Sequence, residues 1–210
     1  MALGVDMPVA PRDTSLKGKV VILNGYSGTG KTTILNNIKS QRADQKTQIV
    51  DSDVMTRPMH TDRGLYHYQL QRQLRAVYLQ EVRKLAGLGC TVLMSACLVN
   101  NAGDRQVLDD VLAILRGSSI PLLWINLHCG QGTLEQRAPS PGRFQDTRYE
   151  VTDPNVLRSM TNQHQITCPS SARHNLDGIN LVTARLDVGR GIEDAVDMVS
   201  GVMDRERRRL

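Results

Sequence analysis

The sequence predicts an α/β protein, a five-stranded parallel sheet with helices on both faces and a short lid. Three observations carry this. Short runs rich in Val, Ile and Leu alternate with segments of helical period, which is the rhythm of βαβ units whose parallel strands need crossover helices. A glycine-rich turn separates the first such run from the first helical segment. Finally, 210 residues with no internal repeat or low-complexity linker suit one domain, since domains cluster near roughly 100 to 200 residues.

Residues 1–17 read as an irregular lead, 18–204 as a single domain, and 205–210 as a basic tail, a solvated helix end. Lys19–Asn24 (KVVILN) is the continuous apolar run of a strand buried on both faces, followed by a helix from Lys31 to about Arg42. Thr47–Val50 forms a second strand leading into Asp51-Ser52-Asp53. From Leu65 to Leu85, apolar residues at 70, 74, 77, 78, 82 and 85 keep the 3.6-residue period, and Gly87 and Gly89 stop the helix. Cys90–Val99 is the third strand. Asp104 is the expected N-cap of a helix carrying Val107, Leu108, Val111, Leu112 and Leu115, which Gly117 ends. Ile120–His128 is the fourth strand, and a short helix follows near Thr133–Arg137. In residues 138–152 (APSPGRFQDTRYEVT) Pro139, Pro141 and Gly142 exclude regular structure, and this segment is the expected lid. Asp153-Pro154 is an N-cap with proline at the first helical position, opening a helix to about His164. Asn180–Asp187 is the fifth strand, and Ile192 to about Met203 the closing helix.

Composition narrows the function. Apolar residues at 40% and charged residues at 22% are those of an ordinary globular chain, and no apolar run approaches the roughly 18 to 20 residues of a membrane span. The N-terminal stretch, with two prolines and early acids, lacks a signal peptide's basic start and apolar centre. Four cysteines, Cys90, Cys97, Cys129 and Cys168, are too few and scattered for a disulfide scaffold or a zinc site, and read as thiols of a cytoplasmic protein. The formal charge of +5 owes +2 to Asp204–Leu210, so the body is near balance. With aromatics at 3%, stacking platforms for bases are scarce, which argues against nucleic acid as a partner. A membrane is not an expected partner either.

Gly25-Tyr26-Ser27-Gly28-Thr29-Gly30-Lys31-Thr32 fits G-x-x-x-x-G-K-[ST] and stands between a strand and a helix, as that phosphate-binding motif requires. Glycines let successive backbone N–H groups approach a phosphate with no Cβ in the way, and the helix start adds its own N–H groups and positive dipole end. Lys31 is placed to reach the β- and γ-oxygens of ATP, and the Thr32 hydroxyl to ligate Mg2+. Thr33 lies either near the α-phosphate or simply in the first helical turn.

With the VVILN strand before this loop, the acidic end of the second strand and the arginine-bearing segment late in the chain, the sequence resembles the small P-loop kinases. Within these it is most similar to the chloramphenicol phosphotransferase-like and zeta-toxin-like branch, and more distantly to shikimate kinase through Asp51-Ser52-Asp53. The resemblance spans about residues 19–203, and it implies a P-loop NTPase fold and ATP-dependent phosphorylation of a hydroxyl on a small acceptor. It also implies an acceptor-activating carboxylate at the end of the second strand. Asp53 is assigned that role and Asp51 the Mg2+ side, although the two are exchangeable, since the chloramphenicol-type spacing suits Asp51 better. Arg137 is the match to the lid arginine that contacts nucleotide and transferring phosphoryl group; Arg143 comes next, with Arg148 as a third candidate.

Other residues border the same crevice. Arg57 is the choice for an anionic or polar part of the acceptor, with Arg143 alongside; His60 and His67 read as surface residues. Leu98–Arg105 follows the third strand, and Asp187-Val188-Gly189 is where related kinases pass near adenine. The chain departs from many P-loop proteins at the third strand, where Leu93-Met94-Ser95-Ala96-Cys97 supplies no metal-holding acid. Two other functions stay open on these residues: a polynucleotide 5′-hydroxyl kinase, and a non-catalytic nucleotide-binding switch.

Overall fold

The computed structural model of the chain describes residues 18–42, 46–50, 65–137 and 153–207. The elements run β1 (Lys19–Asn24), α1 (Lys31–Gln41), β2 (Thr47–Ile49), α2 (Leu65–Gly87), β3 (Thr91–Ala96), α3 (Ala102–Leu115), β4 (Leu122–His128), α4 (Gln131–Arg137), α5 (Pro154–Gln163), β5 (Leu181–Asp187) and α6 (Ile192–Arg207). All five strands are parallel, in the order β2-β3-β1-β4-β5.

Strand alternation sorts the core into two layers. On one face Val20 and Ile22 of β1, Val92 and Met94 of β3, and Leu122 and Trp124 of β4 meet Leu79 and Val82 of α2 and Leu108, Val111 and Leu112 of α3. On the other face Val21, Leu23, Leu93, Leu123 and Ile125 meet Ile34 and Ile38 of α1 and Val196 and Val199 of α6. Each such side chain contributes about 1.5–3 kcal/mol by leaving water, so both layers pin β1 at the centre of the sheet.

Element ends differ from the sequence expectation for local reasons. The third strand begins at Thr91, not Cys90, because Cys90 N–H bonds Leu85 O and so completes the end of α2. It ends at Ala96 because Leu98 N–H turns to the side chain of Asn24. Asp104 is not the N-cap of α3. Asn101 is, its side chain accepting from Asp104 N–H at 2.8 Å, while the Asp104 carboxylate accepts from Val99 N–H at 2.8 Å. The helix therefore starts at Ala102, and Gly103 and Asp104 lie inside its first turn. Asp153 caps α5 as expected, accepting from Asn155 N–H at 2.8 Å. The closing helix continues beyond Met203 to Arg207. Among the described residues no helix is long and apolar enough to cross a membrane.

Candidate functional site

The Gly25–Thr32 loop lies at the carboxyl end of the central strand, where an open parallel sheet presents its crevice. Gly25 N–H bonds Ala96 O at 3.1 Å, which keeps the loop against β3. A Cβ on Gly25 would stand 2.9 Å from Leu127 O, so only glycine permits this approach to β4. Gly28 and Gly30 take φ of +92° and +79°, in the left-handed region that side chains disfavour. Gly28 also lies against α4, since a Cβ there would meet Leu134 O at 2.9 Å. Gly30 stands at the N-cap of α1 with no side-chain cap, which leaves the first N–H groups of the helix turned towards the loop.

Lys31 is buried, and its ammonium donates to Gly25 O at 2.7 Å and Tyr26 O at 3.0 Å, so the charge is held at the mouth of the loop. Ser27 and Thr29 have buried side chains and offer the cleft their backbone; Thr29 Oγ1 donates to Tyr26 O at 2.8 Å. Thr32 and Thr33 are exposed on the first turn of α1. The hard hydroxyl of Thr32, beside Lys31, is chemically suited to Mg2+. Among the described residues no group of three His, Cys, Asp or Glu side chains is placed to hold a metal.

Arg137, the last residue of α4, donates to Val188 O at 3.3 Å. It is thus seated at the loop after β5, one helical turn from the Leu134 contact with Gly28. Burial pushes the nearby Cys129 thiol up, the Arg137 guanidinium partly opposing this and Asp187 adding to it. Asp187 accepts from Gly189 N–H at 2.9 Å, which shapes the turn after β5. Ser95 is a half-buried residue of β3 opposite Leu23, and Ser95-Ala96-Cys97 closes the strand without a carboxylate. Asp51, Asp53, Arg57 and Arg143 lie outside the described residues, as do Arg148, His60, the side chain of His67 and the whole expected lid, 138–152.

The structure adds contacts that no sequence signal singled out. The Tyr26 hydroxyl donates to His164 O, linking the phosphate loop to the arm that follows α5. Its phenol is pushed up, first by burial and then by Cys97. Asn24, fully buried at the end of β1, donates to Leu98 O (3.2 Å), Thr167 O (3.0 Å) and Asn126 Oδ1 (3.2 Å), and accepts from Leu98 N–H (2.8 Å). One amide therefore gathers β1, β4, the exit of β3 and the post-α5 arm beneath the crevice. Burial pushes the Asp104 carboxyl up more than its bonds from Val99 and Asn101 and the nearness of His164 pull it down. Across the two ends of segment 138–152, Arg158 of α5 holds Glu135 of α4 in a two-pronged ion pair, 2.9 Å and 2.7 Å. Glu135 is held below the usual carboxylate range by the bonds from Arg158 and Gln131.

Known proteins give a consistent fold. The family model described as "CobW/HypB/UreG, nucleotide-binding domain" matches residues 19–90, from β1 through α2. A sugar kinase from Janibacter sp. HTCC2649 superposes with a TM-score of 0.52 at 17% identity, over 89% of this chain and 95% of that one. A gluconokinase from Sinorhizobium meliloti 1021 gives 0.51 at 13% identity, over 93% and 96%. A shikimate kinase from Acinetobacter baumannii, solved with shikimate, gives 0.51 at 14% identity, over 91% and 96%. No curated protein matches the sequence. The chain has the α/β P-loop NTPase fold and carries a P-loop nucleotide-binding domain.

Proposed function

We propose that the protein is an ATP-dependent phosphotransferase that phosphorylates a hydroxyl of a small-molecule acceptor. The observation that carries this is the complete phosphate cradle: the Gly25–Thr32 backbone at the head of an uncapped helix, with a buried Lys31 ammonium 2.7 Å from Gly25 O. Support comes from likenesses to small-molecule kinases that run the length of both chains. The chloramphenicol phosphotransferase-like branch is the finer form of the same proposal.

In this reading the backbone N–H groups of Gly25, Tyr26, Ser27, Gly28, Thr29 and Gly30, with those of Lys31, Thr32 and Thr33, surround the nucleotide phosphates. Lys31 exchanges its two loop carbonyls for phosphate oxygens. Thr32 and Asp51 are the residues that would hold Mg2+, which when bound neutralises charge on the β- and γ-oxygens. Asp53 accepts the proton of the acceptor hydroxyl, with Asp51 as the exchangeable partner. Arg57 and Arg143 hold a polar or anionic part of the acceptor, and Arg137 meets negative charge that develops on the transferring group.

A second reading, a nucleotide-binding switch without phosphotransfer, draws on the 19–90 family match and on the absence of an acid at the end of β3. In that case GTP is as admissible as ATP. Low aromatic content and the near-balanced body weigh against a polynucleotide kinase. The deciding experiment incubates the protein with Mg2+, either ATP or GTP, a panel of hydroxylated metabolites and a 5′-hydroxyl oligonucleotide, with Lys31→Ala as the blank. A phosphorylated metabolite formed from ATP is the expected result. A labelled 5′ end, or nucleotide binding with no transfer to any acceptor, would replace the proposal with one of the other two functions.

A further inference from the structure

We propose that the outward face of α2 is an interface through which two copies of the chain pair antiparallel about a two-fold axis. Among the described residues six large apolar side chains are exposed, and four of them, Leu70, Leu74, Val77 and Leu88, fall on one face of α2 and its last turn. Val156 of α5 and Ile192 of α6 stand singly elsewhere. Leu88 belongs to the same ladder, because its N–H bonds Lys84 O at 3.0 Å. The opposite face of α2 carries Leu79, Val82 and Ala86, all buried in the core, so the exposed face points away from the sheet. A single exposed leucine is ordinary, whereas four apolar residues on one helix face mark a surface that another molecule covers.

Spacing says what kind of surface fits. Leu70, Leu74, Val77, Glu81, Lys84 and Leu88 follow one another by alternating steps of four and three, the seam of a heptad, which accepts a second helix with the same seam. Among the described residues no other helix turns such a seam outward, so the occupant that the chain itself supplies is α2 of another copy. Charge then selects the direction. Glu81 and Lys84 stand in mid-seam with side chains 57% and 67% exposed, 3.4 Å apart within the helix. Reversing one copy sets each Glu81 across from Lys84 of the other, and the same register sets each Val77 across from Leu88.

Two ion pairs are thus enclosed by two apolar pairs, the self-complementary pattern that a closed two-fold dimer requires. A parallel pairing would set Glu81 against Glu81 and Lys84 against Lys84, and like-charge contact disfavours it. Leu74 carries the apolar contact on towards the turn at Gly89 of the second copy, and Leu70, the least exposed of the four, lies beyond it. The flanking Gln73 and Gln80 are uncharged and the charges of the seam cancel, so the formal +5 of the chain does not oppose the contact where it forms.

The test is sedimentation velocity on the full chain over about 1–100 μM, where association through one helix seam is read as a concentration-dependent rise to twice the chain mass. Glu81→Lys and Lys84→Glu should each raise the dimer dissociation constant about tenfold or more, because each sets like charges across both mid-seam positions. The double variant Glu81→Lys/Lys84→Glu should restore the wild-type constant, and an equimolar mixture of the two single variants should associate although neither does alone. Val77→Asp should leave a monomer. A wild type that stays monomeric over the whole range, whatever else binds the seam, overturns the proposal. So does a dimer that the single reversals leave as tight as before, or a mixture of them that stays monomeric. If Val77→Asp fails to fold by circular dichroism, the charge variants decide alone, since they alter only exposed side chains.

Discussion

At the residue scale, Lys31 and Asp53 divide the proposed chemistry into a nucleotide half and an acceptor half. The ammonium of Lys31 is already buried among loop carbonyls, so its charge needs little reorganisation to meet phosphate. Lys31→Ala is expected to weaken ATP binding about tenfold or more and to abolish turnover, as read by calorimetry and product formation. Wild-type affinity in that variant would take the cradle out of the mechanism. Asp53→Asn should leave ATP affinity within a few-fold while kcat falls by about 10² or more, the pattern of a lost general base. If Asp51→Asn shows that pattern and Asp53→Asn does not, the two carboxylates exchange roles.

At the element scale, α4 is the piece that joins the phosphate loop to the rest of the cleft. Leu134 packs on Gly28, Arg137 reaches Val188 O, and Glu135 is tied to Arg158 of α5 across segment 138–152. Arg137→Ala is expected to lower kcat more than it raises the Kd for ADP, because a contact with charge that develops only in the transition state contributes little to ground-state binding. Equal effects on both constants would make Arg137 an ordinary nucleotide contact. The start of α3 adds a pH dependence. The Asp104 carboxyl keeps its proton to a higher pH in the folded chain than in the unfolded one, so between the usual carboxylate value and that raised value the folded state binds more protons. Its stabilising contribution is present in acid and is lost as pH rises through the folded value. The stability of the wild type relative to Asp104→Asn should therefore decline as pH rises from the usual carboxylate value through the raised folded one, measured by urea unfolding at each pH. A difference that stays flat over that range would show that the carboxyl titrates as in the unfolded chain.

At the scale of the whole molecule, Asn24 is where the two halves of the sheet and the post-α5 arm meet. Its amide is fully buried and serves Leu98, Asn126 and Thr167, which come from the exit of β3, from β4 and from the arm. Asn24→Ala strands several of these partners without water to replace the bonds, and the expected cost is about 2–4 kcal/mol of unfolding free energy in urea. A loss below about 0.5 kcal/mol would mean that the arm is held by its packing and the Val99–Ile166 bridge alone.

Sequence alone determined what depends on near neighbours. The 2.0 and 3.6 periods, the Asp153-Pro154 cap, and glycines at positions that need positive φ or a close approach are local properties, and they sufficed for the five parallel strands, their helices and the phosphate loop. Even near elements, the limits of local reading show at β3 and α3, whose ends are set by Asn24 and Asn101 and not by the residues that propensity favours. Tertiary structure decided the contacts between residues remote in the chain: Tyr26 with His164, Asn24 with Thr167, Arg137 with Val188, and Val99 with Ile166. A backbone carbonyl accepts a hydrogen bond whatever its side chain, so no residue type marks those partners in advance. They exist because the layered core brings the arm after α5 back across the carboxyl ends of β1 and β3, where the proposed chemistry is placed.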